Sequence, residues 1–466
     1  MDAGKIGFFL FTTLVSLATF VIAKNKLRSL LMISAFVFIF PIGWIFYHFN
    51  GIWVADIPLL LLIFYGFSFG HGFKWYFPKI SFVILGSLVW ALISAVSAPE
   101  AGWAVSQATV TLRAYLIFVA VMNTLKTPKD LYYVTMAILA GFTFESFLGF
   151  WQWRFGPVGL TFLGERVYMY DWRSMGTFFV TSYYGNYLIL LIPLAYRLFI
   201  YHRPFRKWET YAYGGMTLLS VFALFSTYGR GPWISVIIAL GLITLFSFLN
   251  KKHRPRVKWA IGLIIVFGFA FGVKYTPVII DQFGPQRQAA ADVRKDEWRT
   301  ALRVIKNNLI WGTGPGNYEN LSVNYVTAEE VEGFFGWQIA EMVHNSYLLV
   351  TAETGILGGI LFVSWFLLIF KQTWKTAKLQ IPYFRNLGIG IGAGFFALAI
   401  SFYYSPDIHE YQIMFMFWLL TGILFSLDRL ELKCLKQYKQ AQMKRAAPSA
   451  PQQAIFDSKN LKEVPL

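Results

Sequence analysis

The sequence predicts an all-α integral membrane protein: a polytopic bundle of about 12–13 transmembrane helices with one large extracytoplasmic segment. Three observations carry this. Of 466 residues, 56% are hydrophobic and only 14% charged, where a soluble domain of this size needs roughly 25% charged residues to cover its surface. Apolar runs of about 20 residues, enough to cross a bilayer, recur along the chain. Basic clusters fall at every second break between the runs, which is the positive-inside pattern.

In chain order the runs lie near 6–23, 29–48, 52–70, 80–98 and 105–124, then 132–153, 177–200, 211–227 and 232–249, and finally 259–275, 345–370, 386–404 and 411–427. The start, Met1-Asp2-Ala3-Gly4-Lys5, lacks the basic character of a signal peptide and no small-residue cleavage pattern follows, so the first run is expected to stay as a span. The breaks with Lys24/Lys26/Arg28, Lys74/Lys79, Lys126/Lys129, His202/Arg203/Arg206/Lys207, Lys251/Lys252/Arg254/Arg256/Lys258 and Lys371/Lys375/Lys378 are basic, which places them in the cytoplasm. That leaves 154–175, 228–231, 276–344, 405–410 and the N-terminus outside. The same clustering accounts for the net charge of +17 without nucleic acid, which would call for a basic stripe. Residues 1–427 thus form the bundle, with 276–344 as its large external loop. Residues 428–466 form a basic cytoplasmic tail, helical over Lys433 to Arg445 and then disordered. The single cysteine, Cys434, lies in that tail, so neither a disulfide within the chain nor a cysteine metal site is expected.

The long polar interruption from about Tyr275 to His344 is the one stretch able to build a site outside the membrane. Within it, Asp292 to Asn307 has helical periodicity, with Arg294, Trp298, Ala301 and Ile305 on one stripe. Arg294 is the cation expected to face inward. Next come Gly312, Gly314 and Gly316, which permit tight turns and a close approach of backbone N–H groups to an anion. Residues Glu319 to Glu341 carry more acids than bases and suit a mobile lid or a short helix pair.

Ionisable residues near a membrane face cost free energy unless paired or hydrated, which makes them candidates for function. Arg230 sits in a very short external turn fixed by Gly229, Gly231 and Pro232; snorkelling is its plain alternative. For Arg294 the plain alternative is a surface salt bridge. Arg299 and Arg303 suit a solvated face, with Arg299 kept as a candidate for substrate contact. His344, external along with His48 and His409, begins a span and can accept a proton near neutral pH or donate to a phosphate; a hydrated interfacial ring is its alternative. Arg113 and Glu145 are expected to pair within the membrane, and Glu353 to support the site from below His344. Arg154, Arg166, Asp171 and Arg173 lie in an external, aromatic-rich stretch whose tryptophans fit an interfacial belt or stacking on sugars. No Gly-x-x-x-x-Gly-Lys-[Ser/Thr] loop, His-Glu-x-x-His or Asp-x-Asp occurs, which argues against nucleotide hydrolysis, a zinc site and the usual metal–diphosphate clamp. Arginines are then expected to neutralise a diphosphate in place of a metal.

Arg230 in its short turn, Arg294 four residues before Trp298, Gly312-Thr313-Gly314-Pro315-Gly316-Asn317, and His344-Asn345-Ser346-Tyr347-Leu348 followed by Glu353-Thr354-Gly355 together resemble the O-antigen ligase/polymerase family. The resemblance covers about 130–425, takes in Met175-Gly176-Thr177-Phe178, and is strongest at 225–360. It implies a GT-C-like glycosyltransferase of the bacterial inner (cytoplasmic) membrane, with its site on the external face. Such an enzyme moves a glycan from an undecaprenyl-diphosphate carrier to a lipid or glycan acceptor and uses no cofactor, metal or nucleotide sugar. Carried onto this chain, the family's arginines match Arg230 and Arg294 and its histidine matches His344, with Asn345 and Glu353 in matching positions and Arg166, Arg173 and Arg299 as further substrate-side candidates. Ligase and polymerase are alternatives that differ in acceptor. A transporter or flippase is the third reading; it expects midplane charges in repeated halves, and only Arg113, Glu145 and Glu353 qualify.

Overall fold

The computed structural model describes residues 3–40, 43–46, 49–68, 76–160, 165–167, 173–178, 180–201, 207–249, 254–258, 284–327 and 343–446, with isolated positions 261–262, 276 and 280. Its helices are α1 (Ala3–Ile22), α2 (Lys26–Val37), α3 (Asp56–Ser68), α4 (Lys79–Ser94), α5 (Ala101–Thr124), α6 (Pro128–Phe155), α7 (Thr181–Tyr201), α8 (Lys207–Phe225) and α9 (Arg230–Leu249). Then follow α10 (Pro285–Asn307), the short α11 (Tyr318–Ser322), α12 (Ser346–Thr376), α13 (Pro382–Ser401) and α14 (Tyr411–Ala446). Two antiparallel hairpins, β1 (Gly43–Phe46) with β2 (Phe49–Trp53) and β3 (Val158–Leu160) with β4 (Glu165–Val167), sit in connections. Among the described residues eight helices are long and apolar enough to cross a membrane: α1, α5, α6, α7, α9, α12, α13 and α14. The chain is a polytopic all-α membrane protein.

The apolar runs fall on helices, but the count of 12–13 spans is not reached among the described residues. The runs near 52–70 and 80–98 form only the shorter α3 and α4, of 13 and 16 residues. There are three further differences. The run near 29–48 is not one span: α2 stops at Val37 and the chain turns into the first hairpin, because Pro41 lacks an N–H and pushes the residue before it out of the helical region. The run near 259–275 lies largely outside the described residues. The basic stretch after Leu427 is no separate helix but the continuation of α14 to Ala446, and residues 447–466 lie outside the described ones.

Helix α7 is the axis of the bundle, with 89% of its apolar window buried against 11% for α1 at the rim. Helix α13 lies along it, and Gly394 lets the backbones touch: a Cβ there would stand 2.1 Å from the Leu190 carbonyl oxygen. Basic breaks meet at one end, where Arg28 pairs with Asp130 at 3.3 Å and Lys433 donates to the Lys126 carbonyl at 2.9 Å, as the alternating charge pattern requires. The opposite end is the mouth. There Ser174 donates to Ser226 at 3.0 Å, Glu100 to the Asn317 side chain at 2.9 Å, and Ser346 to Phe402 at 2.9 Å.

The expected Arg113–Glu145 pair does not form. Arg113 meets Asp56 at 3.5 Å and lies over the Tyr411 ring, while Glu145 accepts the backbone N–H of Thr177 at 3.1 Å and its hydroxyl at 2.9 Å. The two residues lie on helices that present them to different neighbours, and the buried Glu145 carboxylate is satisfied by Thr177.

The glycine run makes the tight turns expected of it, with φ of 70°, 88° and 72° at Gly312, Gly314 and Gly316, but what it approaches is another backbone. Helix α12 breaks at Gly355, whose φ of 69° and ψ of −178° are open only to glycine. A broken helix exposes carbonyls that lipid cannot satisfy. The 309–316 segment satisfies them: Thr313 donates to Ala352 and Gly314 to Glu353, both at 2.9 Å, and Ile356 returns a bond of 2.9 Å to Leu309. Trp90 Nε1 adds a bond to the Thr354 carbonyl at 2.7 Å. A Cβ on Gly312 would stand 2.3 Å from the Glu353 carbonyl group. The Thr313 and Gly314 N–H groups are therefore turned to α12, and that of Gly312 to Asn308, and not to an anion.

Gly355→Ala should put a Cβ 2.1 Å from the Ile310 carbonyl oxygen and cost about 4 kcal/mol or more. Gly156 has a φ of 92° but nothing within 4 Å, so Gly156→Ala should cost only backbone strain, about 1–3 kcal/mol. Thermal melting of the two variants in detergent measures the difference; equal losses would show that the junction is slack.

Candidate active site

Helix α10 carries the inward stripe its periodicity predicts. Ala301 and Val304 are fully buried, Trp298 packs edge-on against Tyr403 with ring centroids 5.0 Å apart, and Arg294 is half-buried at the mouth. One turn beyond Arg294 lies Glu297, which is buried. Its Oε2 accepts the backbone N–H of His344 at 3.0 Å and meets the ring Nδ1 at 2.9 Å. A carboxylate oxygen only accepts, so Nδ1 carries a proton and Nε2 is the ring nitrogen left to meet a substrate. His344 immediately precedes the N-cap of α12, and that cap is Asn345, whose Oδ1 accepts from Tyr347 and Leu348 at 3.0 Å each.

Arg230 opens α9 after Tyr228, which holds a φ of 52°. The turn before it is held by Arg173, whose Nε donates to the Thr227 carbonyl at 2.8 Å. Residues 173–178 are in turn fixed on α6, where Gln152 Oε1 accepts from Gly176 at 2.9 Å and Glu145 from Thr177. Arg230 and Arg294 lie within electrostatic reach of one another. Burial draws the Arg294 guanidinium below its ordinary pKa; Glu297 opposes this, Arg230 adds to it, and Asp407 opposes it again. No N–H of Arg294 makes a hydrogen bond to a described residue.

The turn between α13 and α14 completes the mouth. Asn186 and Ser182 on α7 both donate to Asp407, the latter at 3.4 Å, and His409 Nε2 meets Glu353 Oε2 at 2.8 Å. Burial, then the Glu410 charge, push the Asp407 carboxyl up to about 7, with Asn186 and the nearby His344 pulling the other way. Glu410 is raised by burial. Burial opposes the charged form of His409, but the Glu353 carboxylate, with Glu410 and Glu319 beyond it, outweighs burial and raises it.

A family model described as O-antigen ligase matches residues 215–363, which hold Arg230, Arg294, Glu297, His344 and Glu353. This part of the chain is similar to the O-antigen ligase family. The family is one of membrane glycosyltransferases, in keeping with the apolar helices. No curated protein matches the chain. The matched part supplies the arginines and the first histidine, while Asp407, His409 and Glu410 enter the same mouth from beyond its end.

Arg230, Arg294 and His344 are thus brought together. Glu353, expected to support the site from below His344, pairs instead with His409, and Glu297 holds His344. Asn345 is occupied as a helix cap. Arg299 is exposed and paired with Asp296 at 2.8 Å on the outer face of α10, which is the solvated-face reading. Arg303 ties α10 to the next turn through the Tyr325 carbonyl at 2.7 Å. Arg166 sits on β4, and its side chain, like Asp171 and His48, lies outside the described residues. The lid expected over Glu319 to Glu341 is described only to residue 327, as α11 and a following turn. Sequence reasoning missed Glu297 and Asp407. A carboxylate three residues after Arg294 on one helical face, and Asp407-Ile408-His409-Glu410 in a brief external break, were the signals.

Asp407 and Glu410 hold protons in the folded state that an unfolded chain releases, so stability should fall as pH rises from the ordinary carboxylate range through about 7. His409 acts in the same direction, its contribution present below its ordinary value and lost as pH passes its raised folded value. The melting temperature in detergent should therefore drop between about pH 5 and about pH 8, and Asp407→Asn should flatten the drop. A parallel profile in the variant would remove Asp407 from this linkage.

Proposed function

We propose that the chain is a glycosyltransferase of the O-antigen ligase type that moves a glycan from an undecaprenyl-diphosphate carrier to an acceptor hydroxyl, on the external face of the bacterial inner membrane. One arrangement carries the reading. A half-buried Arg294, with no hydrogen bond to a described residue, lies beside Arg230 and one carboxylate away from a histidine oriented at 2.9 Å. Two like charges in a low-dielectric mouth favour an anion between them, and guanidinium forks suit diphosphate oxygens.

In this mechanism Arg230 and Arg294 grip the diphosphate at the outer leaflet. The Nε2 atom of His344 takes the proton of the acceptor hydroxyl, whose oxygen forms a bond to the anomeric carbon from the side opposite the diphosphate. The carbon–oxygen bond to the diphosphate breaks, its electron pair leaves on the phosphate oxygen, and the anomeric configuration inverts. Glu297 and Asp407 stabilise the imidazolium that results. The charge developing on the leaving group is met by the two arginines.

Arg294→Lys should insert normally and lose about 10²–10³-fold in transfer, because an ammonium offers no bidentate fork. Transfer from a lipid-diphosphate glycan in detergent checks this, and near-normal rates would dismiss Arg294 from the mechanism. Turnover should persist with a chelator present; its loss, restored by a divalent ion, would overturn the metal-free reading. In a deletion strain, full-length polymer retained on the carrier is expected, whereas accumulated single repeats would make the enzyme a polymerase.

A further inference from the structure

Beneath Pro315, away from His344, a cavity of about 80 Å³ lies among α4, α5, α12 and α14. It has room for roughly half a dozen waters. Its walls are mixed in a way a lipid-filled gap would not be. Trp90 and Trp365 supply indole surfaces, and both are locked: Trp90 Nε1 bonds Thr354 and the ring stacks on Trp311 at 5.4 Å, while Trp365 Nε1 bonds Ser87 at 3.2 Å. Between them stand Gln107 and Thr111, one turn apart on α5, and the His409–Glu353 pair at the head.

The hydrogen-bonding capacity of these polar groups is unspent. Span hydroxyls in this bundle typically donate one turn back, as Thr143 does to Leu139, Ser364 to Ile360 and Thr421 to Phe417, each at 2.7 Å. By contrast, the Gln107 amide, the Thr111 hydroxyl and the Nδ1 atom of His409 make no hydrogen bond to a described residue. Within a membrane bundle such groups cost free energy unless a guest satisfies them. No Lys or Arg among the described residues borders the cavity, and Glu353 stands at its head, so an anion is excluded. The Glu353 charge is already met by His409, which leaves neutral donors and acceptors set against aromatic walls, the pattern of a pocket for an uncharged, hydroxyl-rich ring.

We propose that this chamber is a second binding site that takes one neutral sugar ring, with Gln107, Thr111 and His409 hydrogen-bonding its hydroxyls and Trp90 covering its apolar face. The choice of a sugar rests on the glycan-transfer reading above; the site itself rests on the chamber. In a transferase the ring would be a unit of the glycan or acceptor held apart from the reacting carbon.

The test measures binding without turnover. The purified protein in detergent is melted with glucose, galactose, mannose or N-acetylglucosamine at tens of millimolar, alongside Thr111→Val and Gln107→Leu, which change little volume. At least one hexose should raise the wild-type melting temperature by a few degrees and leave both variants unmoved. Equal shifts in all three proteins, no shift in the wild type, or stabilisation by choline in place of the sugars would overturn the proposal. A protein that transfers glycan yet shows no such shift loses the chamber alone, and one that binds hexose without transferring glycan loses only the transferase reading.

Discussion

The break in α12 at Gly355 is the constraint on which the mouth depends. A transmembrane helix that stops and restarts leaves carbonyls that only another part of the protein can satisfy. Here the answer comes from 309–316, so that a connecting loop is bonded directly into the interior of a span. This bond set fixes the height of α10, which runs into that loop, and with it the positions of Arg294 and Glu297. It also aims Glu353 at the turn between α13 and α14. A straight α12 would present neither.

That turn, 405–410, is held residue by residue to different helices. Ser405 receives Ser346 of α12 and Asn186 of α7, Asp407 is held by α7, and His409 by α12. The mouth holds two histidine–carboxylate pairs, Glu297 with His344 and Glu353 with His409. In the first the carboxylate holds Nδ1, and in the second Nε2. A tether at Nδ1 leaves the farther nitrogen to act on a substrate, whereas a tether at Nε2 leaves the one nearer the backbone, a geometry better suited to holding a bound group than to reaching for one.

The bundle was legible because hydropathy and charge alternation are properties of single segments: a run of leucines declares a span wherever it packs. Arg230, Arg294 and His344 were legible because each stands at a polar–apolar boundary where a charge is conspicuous. The partners were harder, because pairing across the fold is not local. Arg113 had Glu145 as its visible companion in the sequence, yet Asp56, at the start of another helix, is the one within reach. The glycines of 312–316 announced close backbone approach correctly, but composition cannot say whether an anion or another backbone does the approaching, and here it is the opened α12. Glu297 was concealed among other charges of α10, since only the tertiary structure separates its buried carboxylate from the solvated Asp296 beside it.

The O-antigen ligase match ends at 363, within α12, while Asp407 and Glu410 arrive some forty residues later, after α13 has crossed back. The evolutionary unit that sequence comparison recognises is therefore not the unit that encloses the mouth. A chimera exchanging 215–363 alone between two such proteins would set the arginines of one parent against the 405–410 turn of the other. The segment that must travel as a whole runs from the arginine turn to the start of α14.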